Sequence, residues 1–479
     1  MPQELTTGYE HTKCGEVEPD YGTSQAISCQ GDQSTGCAAN KPCYDFTPNG
    51  HDRMKFTSMA RIARDKCFGV GWRQNYWDAR TLASEIARLF TPDNRVFKQL
   101  AIRDYWRYLT RTTCPKQGET ALRAHAAVQW LLRAQQAAQD DGVPLGYFPC
   151  RGEPNGWTAS YPETTGYIIT SLLAYAECFA DSAARDAALS MARWEITIQM
   201  PSGAVQGGPV SEPARQTAAA FNTGMVLDGW CSAFRATGAA EFLEAGRRAA
   251  DFLVADLDEN GYFRTNGAYV SAGEIKTYTC LCAWAMYRFG EIAGESRCLD
   301  AAIKVIEAAS SQQRSNGWFA HNCLTQSAAP LTHTIGYTLQ GVLEVGAASQ
   351  RPDFMTAARM GADPLIERVD RHGLLAGRFY SDWEPAALSS CLTGNAQIAI
   401  VCYRLFELTG TAKYKQAADA LVDALKVLQI LESPNPALNG AIAGSFPLFG
   451  GYMRAGYPNW ATKYFIDALL LQHRLTRRT

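Results

Sequence analysis

The chain has 479 residues, of which 47% are hydrophobic and 19% charged, with 45 Lys and Arg against 47 Asp and Glu. That composition supports a sizeable buried core and excludes wholesale disorder. A net charge of −2 excludes a broad nucleic-acid surface or polybasic membrane face, and no apolar run reaches the roughly 20 residues of a spanning helix.

Residues 1–55 are polar, rich in Gly, Ser, Asn and Pro, and read as an irregular N-terminal arm. The chain opens without the charged and apolar regions of a secretory signal, so cytoplasmic residence is expected. The arm carries Cys14, Cys29, Cys37 and Cys43, which with His11 or His51 form a loose metal-binding candidate. Fifteen cysteines with no CxxC pair otherwise read as reduced, mostly buried thiols. Residues 56–117 place Leu100, Ile102, Tyr105 and Trp106 at helical spacing and are predicted to form a helical cap.

From residue 118 to 479 a repeat organises the chain. Glycine-bearing loops recur at Gly146, Gly207, Gly261, Gly317, Gly377 and Gly444, with gaps of 61, 54, 56, 60 and 67 residues. Each is followed by a helical stretch with a polar or small opening and an apolar continuation. Thr164-Thr165-Gly166-Tyr167, Asn222-Thr223-Gly224-Met225, Thr334-Ile335-Gly336-Tyr337 and Thr393-Gly394-Asn395 are versions of that opening. Amphipathic segments such as 239–254, 297–310, 351–368 and 412–428 lie between, with apolar residues at three- and four-residue steps. A single helical pair cannot bury its apolar face, so neighbours must stack. Six hairpins closing on themselves predict an all-α (α/α)6 toroid; an open solenoid is the rival.

Gln313-Arg314-Ser315-Asn316-Gly317-Trp318 resembles the QW repeat of squalene–hopene cyclases, one residue shorter before the tryptophan. Thr332-His333-Thr334-Ile335-Gly336-Tyr337 resembles the helix openings of prenyltransferase and squalene-cyclase repeats. The segment from 118 to 475 is similar to cyclase-like toroid proteins of bacterial exopolysaccharide gene clusters. That resemblance implies the toroid fold and polysaccharide-biosynthesis proteins as partners; it says little about chemistry. The DxDD acid of squalene-type cyclases has its nearest match in Asp256-Leu257-Asp258-Glu259, which runs into Asn260-Gly261 and reads as turn chemistry.

In a closed ring, the inner-helix openings and preceding loops would share one mouth. The mouth is expected to be polar, mixing acids, bases, amides and flat rings, which suits a carbohydrate, possibly a uronate. His333, Glu163, Tyr337, Tyr167 and Asp382 are the candidate proton-transfer groups. Trp318, Trp383, Arg378, Asn395, Lys463, Trp460 and Asn222 are the candidates for holding the sugar. Lyase, epimerase and hydrolase chemistry all fit; Asp382 and Glu384 would be the acid and base of a hydrolase. The alternatives are a terpenoid-type or zinc-dependent cyclase and a non-catalytic glycan-binding toroid. No resident cofactor is predicted, zinc on Cys280, His333 and Cys391 being the metal alternative within the repeats.

Overall fold

A computed structural model describes residues 72–110, 119–211, 215–267, 270, 274–324 and 328–477. The expected arm at 1–55, with its cysteines, lies outside them. Two helices, α1 (Trp72–Leu89) and α2 (Arg95–Thr110), precede the repeats. The outer helices are α3 (Thr120–Ala138), α5 (Ser182–Ile198), α7 (Ala240–Asp256), α9 (Ser296–Ser310), α11 (Pro352–Ile366) and α13 (Ala412–Leu428). The inner helices are α4 (Pro162–Phe179), α6 (Ala220–Thr237), α8 (Cys280–Ala293), α10 (Thr332–Ala348), α12 (Leu392–Thr409) and α14 (Asn459–Thr476). Each inner helix packs on the next, and α14 packs on α4, so the ring closes. The (α/α)6 toroid is therefore the observed fold, and the open solenoid is not.

Local chemistry sets the two ends of the ring apart. Inner helices α6, α8 and α12 stop at Gly238, Gly294 and Gly410, each in the left-handed conformation at φ 69°, 68° and 69°. Glycine adopts that cap without a Cβ penalty, and the chain re-enters a helix almost at once. The other end carries the long glycine-bearing loops, which therefore rim the inner-helix N-termini.

The repeated opening turns out to be a clasp. The Oγ1 of Thr165 accepts from the Val143 amide (3.0 Å), that of Thr223 from Val205 (2.9 Å) and that of Thr462 from Ile442 (3.2 Å). In α12 the Oδ1 of Asn395 does the same for Leu375 (2.7 Å). Four of the six incoming loops thus have a buried amide satisfied by the helix they precede. The glycine of the motif serves close packing. A Cβ on Gly394 would lie 2.7 Å from the His333 amide nitrogen, and one on Gly336 would lie 2.7 Å from the Cβ of Gln397. These two glycines bring α10 and α12 together.

The glutamine of the QW-like string is a brace. Gln313 Nε2 donates to Gly317 O (3.2 Å) in its own loop and to Ala357 O (2.8 Å) on the next outer helix. Gln199 bonds Gly203 and Ala245 in the same way. Gln429 bonds Gly440 and Arg123, each at 3.0 Å, and so links the last outer helix to the first. A two-residue antiparallel ladder, Gly146–Tyr147 on Tyr457–Pro458, fastens the same seam. Asp256 and Asp258 accept from the amides of Thr265, Asn260 and Tyr262, so the DxDD-like string is turn chemistry as read.

Helices α1 and α2 lie on the basin side of the toroid. Arg454 Nε donates to Glu85 Oε2 (2.6 Å), the Leu448 amide to Asp104 Oδ2 (2.7 Å), and Tyr108 stacks on His372 at 5.3 Å. No described helix is long and apolar enough to cross a membrane.

Candidate active site

The N-termini of the inner helices enclose a basin whose empty volume, counted to its open mouth, is about 650 Å³. Tyr161, Glu163 and Thr164 enter from the start of α4, Phe221 and Asn222 from α6, His333 and Tyr337 from α10, and Trp460 from α14; Tyr278 precedes α8, and Asn266 and Tyr452 come from loops. The rings form a belt. Tyr278 meets Phe221 at 5.3 Å, Phe221 meets Tyr337 at 4.8 Å, and Tyr337 meets His333 at 4.4 Å. His333 meets Tyr452 at 5.6 Å, Trp460 Nε1 donates to Tyr452 Oη at 2.8 Å, and Trp460 meets Tyr161 at 6.3 Å. The expected polar mouth is thus an aromatic one, because most polar openings are spent on loop backbone.

Two titratable groups share the belt and are displaced in opposite directions. His333 is 5% exposed, and burial pulls its imidazole down to about 4, so it is neutral at physiological pH. Its Nδ1 lies 2.7 Å from Gln397 Oε1, which assigns the proton to Nδ1 and the lone pair to Nε2. No other described residue hydrogen-bonds the imidazole. Burial pushes the Glu163 carboxyl up to about 8, against a weaker opposing hydrogen bond with Tyr161. No described Arg or Lys lines the basin or pairs with Glu163. At neutral pH the basin therefore offers a base on a histidine and a proton on a carboxyl.

One helical turn deeper, at the i+4 positions, stand Tyr167, Tyr337 and Tyr464. Tyr167 and Tyr464 rings are 5.6 Å apart, and Tyr337 and Tyr464 rings 6.0 Å. Burial raises all three phenols well above their usual value, and the Glu163 charge adds to each shift. The Tyr337 hydroxyl interacts with those of Tyr167 and Tyr464, though without well-aligned hydrogen bonds. Below them a charged layer closes the ring. Arg288 pairs with Asp228, Arg404 with Glu344 (2.7 Å), and Lys463 with Asp467 (2.8 Å).

Of the residues singled out in the sequence, His333, Glu163, Tyr337, Asn222 and Trp460 line one basin. Tyr167 stands directly behind them. Lys463 lies outside the lining of the basin: its ammonium lies over the rings of Tyr464 (4.0 Å) and Tyr167 (4.9 Å) and belongs to the charged layer. Asn395 is a clasp, fully buried, and also donates to Cys391 O. Trp318 and Trp383 are each 4% exposed and pack edge to face at 5.0 Å; Trp383 Nε1 donates to Asn316 O. Arg378 donates to Ala329 O at 2.8 Å. Asp382 is exposed and accepts from the Glu384 amide, so these two carboxyls form a turn away from the basin rather than an acid–base pair. Cys280, His333 and Cys391 do not gather: no group of three metal-ligating side chains occurs among the described residues. Burial raises Cys280 well above an ordinary thiol and Cys391 to about 12, so neither is a ready thiolate.

Phe221, Asn266, Tyr452 and Gln397 were missed. Gln397 carried a usable signal, since it lies one turn beyond Thr393-Gly394 on the helix next to His333. Tyr452 and Asn266 lie in loops whose reach no sequence period predicts.

No family model matches the chain, and no curated protein matches it. Solved structures do. A heparin-specific unsaturated glucuronyl hydrolase superposes with a TM-score of 0.61 at 16% identity, covering 75% of this chain and 98% of that one. A cellobiose 2-epimerase from Bacillus thermoamylovorans gives 0.58 at 10% identity, covering 73% and 96%. A D-mannose isomerase gives 0.58 at 12% identity, covering 74% and 98%. These likenesses establish the (α/α)6 toroid.

Proposed function

We propose that the protein is a carbohydrate-active enzyme that moves protons beside a sugar carbonyl, as an aldose–ketose isomerase or 2-epimerase. The observation that carries this reading is the pairing of a neutral His333 with a protonated Glu163 inside one aromatic belt. Rings of the belt can stack on the apolar faces of a sugar, and Asn222 and Asn266 can read its hydroxyls. The Nε2 lone pair of His333 takes the proton from C2 while Glu163 gives its proton to the carbonyl oxygen, yielding an enediol. Glu163 then takes the O2 proton and the imidazolium returns its proton to C1, giving the ketose and restoring both groups. Isomerisation needs only these two groups. The resemblance in fold to an epimerase and an isomerase supports the reading.

The other chemistries fit less well. A two-carboxyl glycosidase needs a second acid across the bond, and Glu163 is the only carboxyl among the described lining residues. A uronate lyase must neutralise a carboxylate, and no cation lines the described basin. The belt alone would suit a terpenoid carbocation, but an acid with a pKa of about 8 is too weak to protonate an alkene. Cytoplasmic residence remains part of the proposal, supported by the unpaired state of all nine described cysteines; so do polysaccharide-biosynthesis partners.

The test is incubation in D2O with neutral aldoses and ketoses, followed by NMR. Deuterium entering at C1 of the ketose formed from an aldose, and at C2 of the aldose formed from a ketose, is the expected result, slowed about 100-fold or more in His333→Ala. Binding without exchange would make the protein a glycan-binding toroid instead.

A further inference from the structure

Among the described residues, Glu163 is a carboxyl without a basic partner in a belt of electron-rich rings. The negative faces of Tyr and Trp attract cations, most strongly where water is excluded. Two described lysines on the elements that build the basin are already committed. Lys463 pairs with Asp467, and Lys276 donates to Glu274 and to Leu324 O. The groups that feel the Glu163 charge are the hydrogen-bonded Tyr161, the phenols Tyr167, Tyr337 and Tyr464, and the Cys282 thiol; neutral His333 shares the basin. None of these supplies a positive charge at neutral pH. The loop segments 268–273 and 325–327, which adjoin lining residues Asn266, Val270 and Leu324, contain no Arg or Lys in their sequence. The described residues thus make a cation cage that holds no cation of its own.

We propose that the basin binds sugars carrying a protonated primary amine, the ammonium resting in the aromatic belt against the Glu163 carboxylate. The inference rests on the carbohydrate reading and adds the charge of the preferred ligand. It also makes such a sugar an inhibitor. Pairing with the ammonium requires Glu163 to lose the proton that the isomerase step needs to donate. Binding therefore expels a proton to solvent, because the carboxyl is protonated in the empty basin at neutral pH and ionised in the complex. Uronates and sugar phosphates, which bring a negative charge to a basin with no cation among its described residues, are disfavoured by the same logic.

Titration calorimetry at about pH 6.5, in two buffers of different ionisation enthalpy, tests the proposal with D-glucosamine, D-glucose and N-acetyl-D-glucosamine. Glucosamine is expected to bind about tenfold more tightly than glucose and to release close to one proton. N-acetylglucosamine, the same skeleton without the charge, should release none from the unaltered protein. Glu163→Gln should bring glucosamine down to the affinity of glucose and abolish the release. Equal binding of glucosamine and glucose, or tight binding without proton release, overturns the proposal and leaves the carbohydrate reading standing. Failure of all three sugars to bind overturns both.

Discussion

Replacing Glu163 by Gln tests the electrostatics of the basin without any knowledge of substrate. The folded carboxyl holds its proton up to about pH 8, against about 4.5 when unfolded. The folded state thus binds this proton more tightly, so Glu163 stabilises the fold below about pH 4.5, and that stability is lost as the pH climbs through about 8. The full difference corresponds to about 5 kcal/mol; contact with basin water screens the charge, so about half of that is expected. His333 works in the opposite sense. Its folded value of about 4 lies below the usual 6.5, so its contribution is complete above 6.5 and is lost as the pH falls through about 4. The two slopes oppose each other between about pH 4.5 and 6.5. In that range the wild-type contributions largely cancel, and Glu163→Gln should expose the rise due to His333 alone. Urea unfolding of both proteins at intervals from pH 4 to pH 9 reads this directly. The stability advantage of the variant should grow with pH up to about 8. A wild-type-minus-variant difference that stays flat across the range would refute the half-buried, protonated Glu163.

Turnover should show a plateau between limbs near pH 4 and pH 8, the first from His333 and the second from Glu163, measured as kcat/KM against pH. Gln397→Leu should lower kcat about tenfold or more by releasing the His333 tautomer, with an altered 15N signature of the imidazole. Gly336→Ala should cost about 1–3 kcal/mol in urea unfolding, because its Cβ would meet Gln397 at 2.7 Å. Gln429→Ala, which removes two hydrogen bonds at the closing seam, should cost about 2 kcal/mol in the same assay. Trp383→Ala should destabilise the fold by about 3–5 kcal/mol and leave KM unchanged, since Trp383 packs on Trp318 outside the basin.

The toroid was legible because its cause is periodic. Amphipathic outer segments predicted at 239–254 and 412–428 appear as Ala240–Asp256 and Ala412–Leu428. Glycine-bearing loops fall where the chain must turn, and six apolar pairs must stack. The lining of the basin was legible where a polar side chain opens an inner helix without a backbone group to serve, as with His333 and Glu163. It was misread where the same kind of residue does serve one. Asn395 looks like a pocket amide in sequence, yet it holds the Leu375 amide at 2.7 Å. Trp318 and Trp383 follow the pattern of sugar-stacking rings but lean on each other. Lys463 interrupts an apolar pattern because it serves a charge layer that exists only once the ring is closed. Tyr452 and Asn266 were invisible because loop reach is a tertiary property.

The most direct test of the basin's chemistry is an NMR titration of the unaltered protein with labelled histidine and glutamate, assigned through His333→Ala and Glu163→Gln. Between about pH 5.5 and 7 the His333 imidazole should be neutral with its proton on Nδ1, while the Glu163 carboxyl in the same sample is protonated. A His333 that titrates near 6.5, or a Glu163 already ionised at about pH 5.5, would contradict the assignment of base and acid.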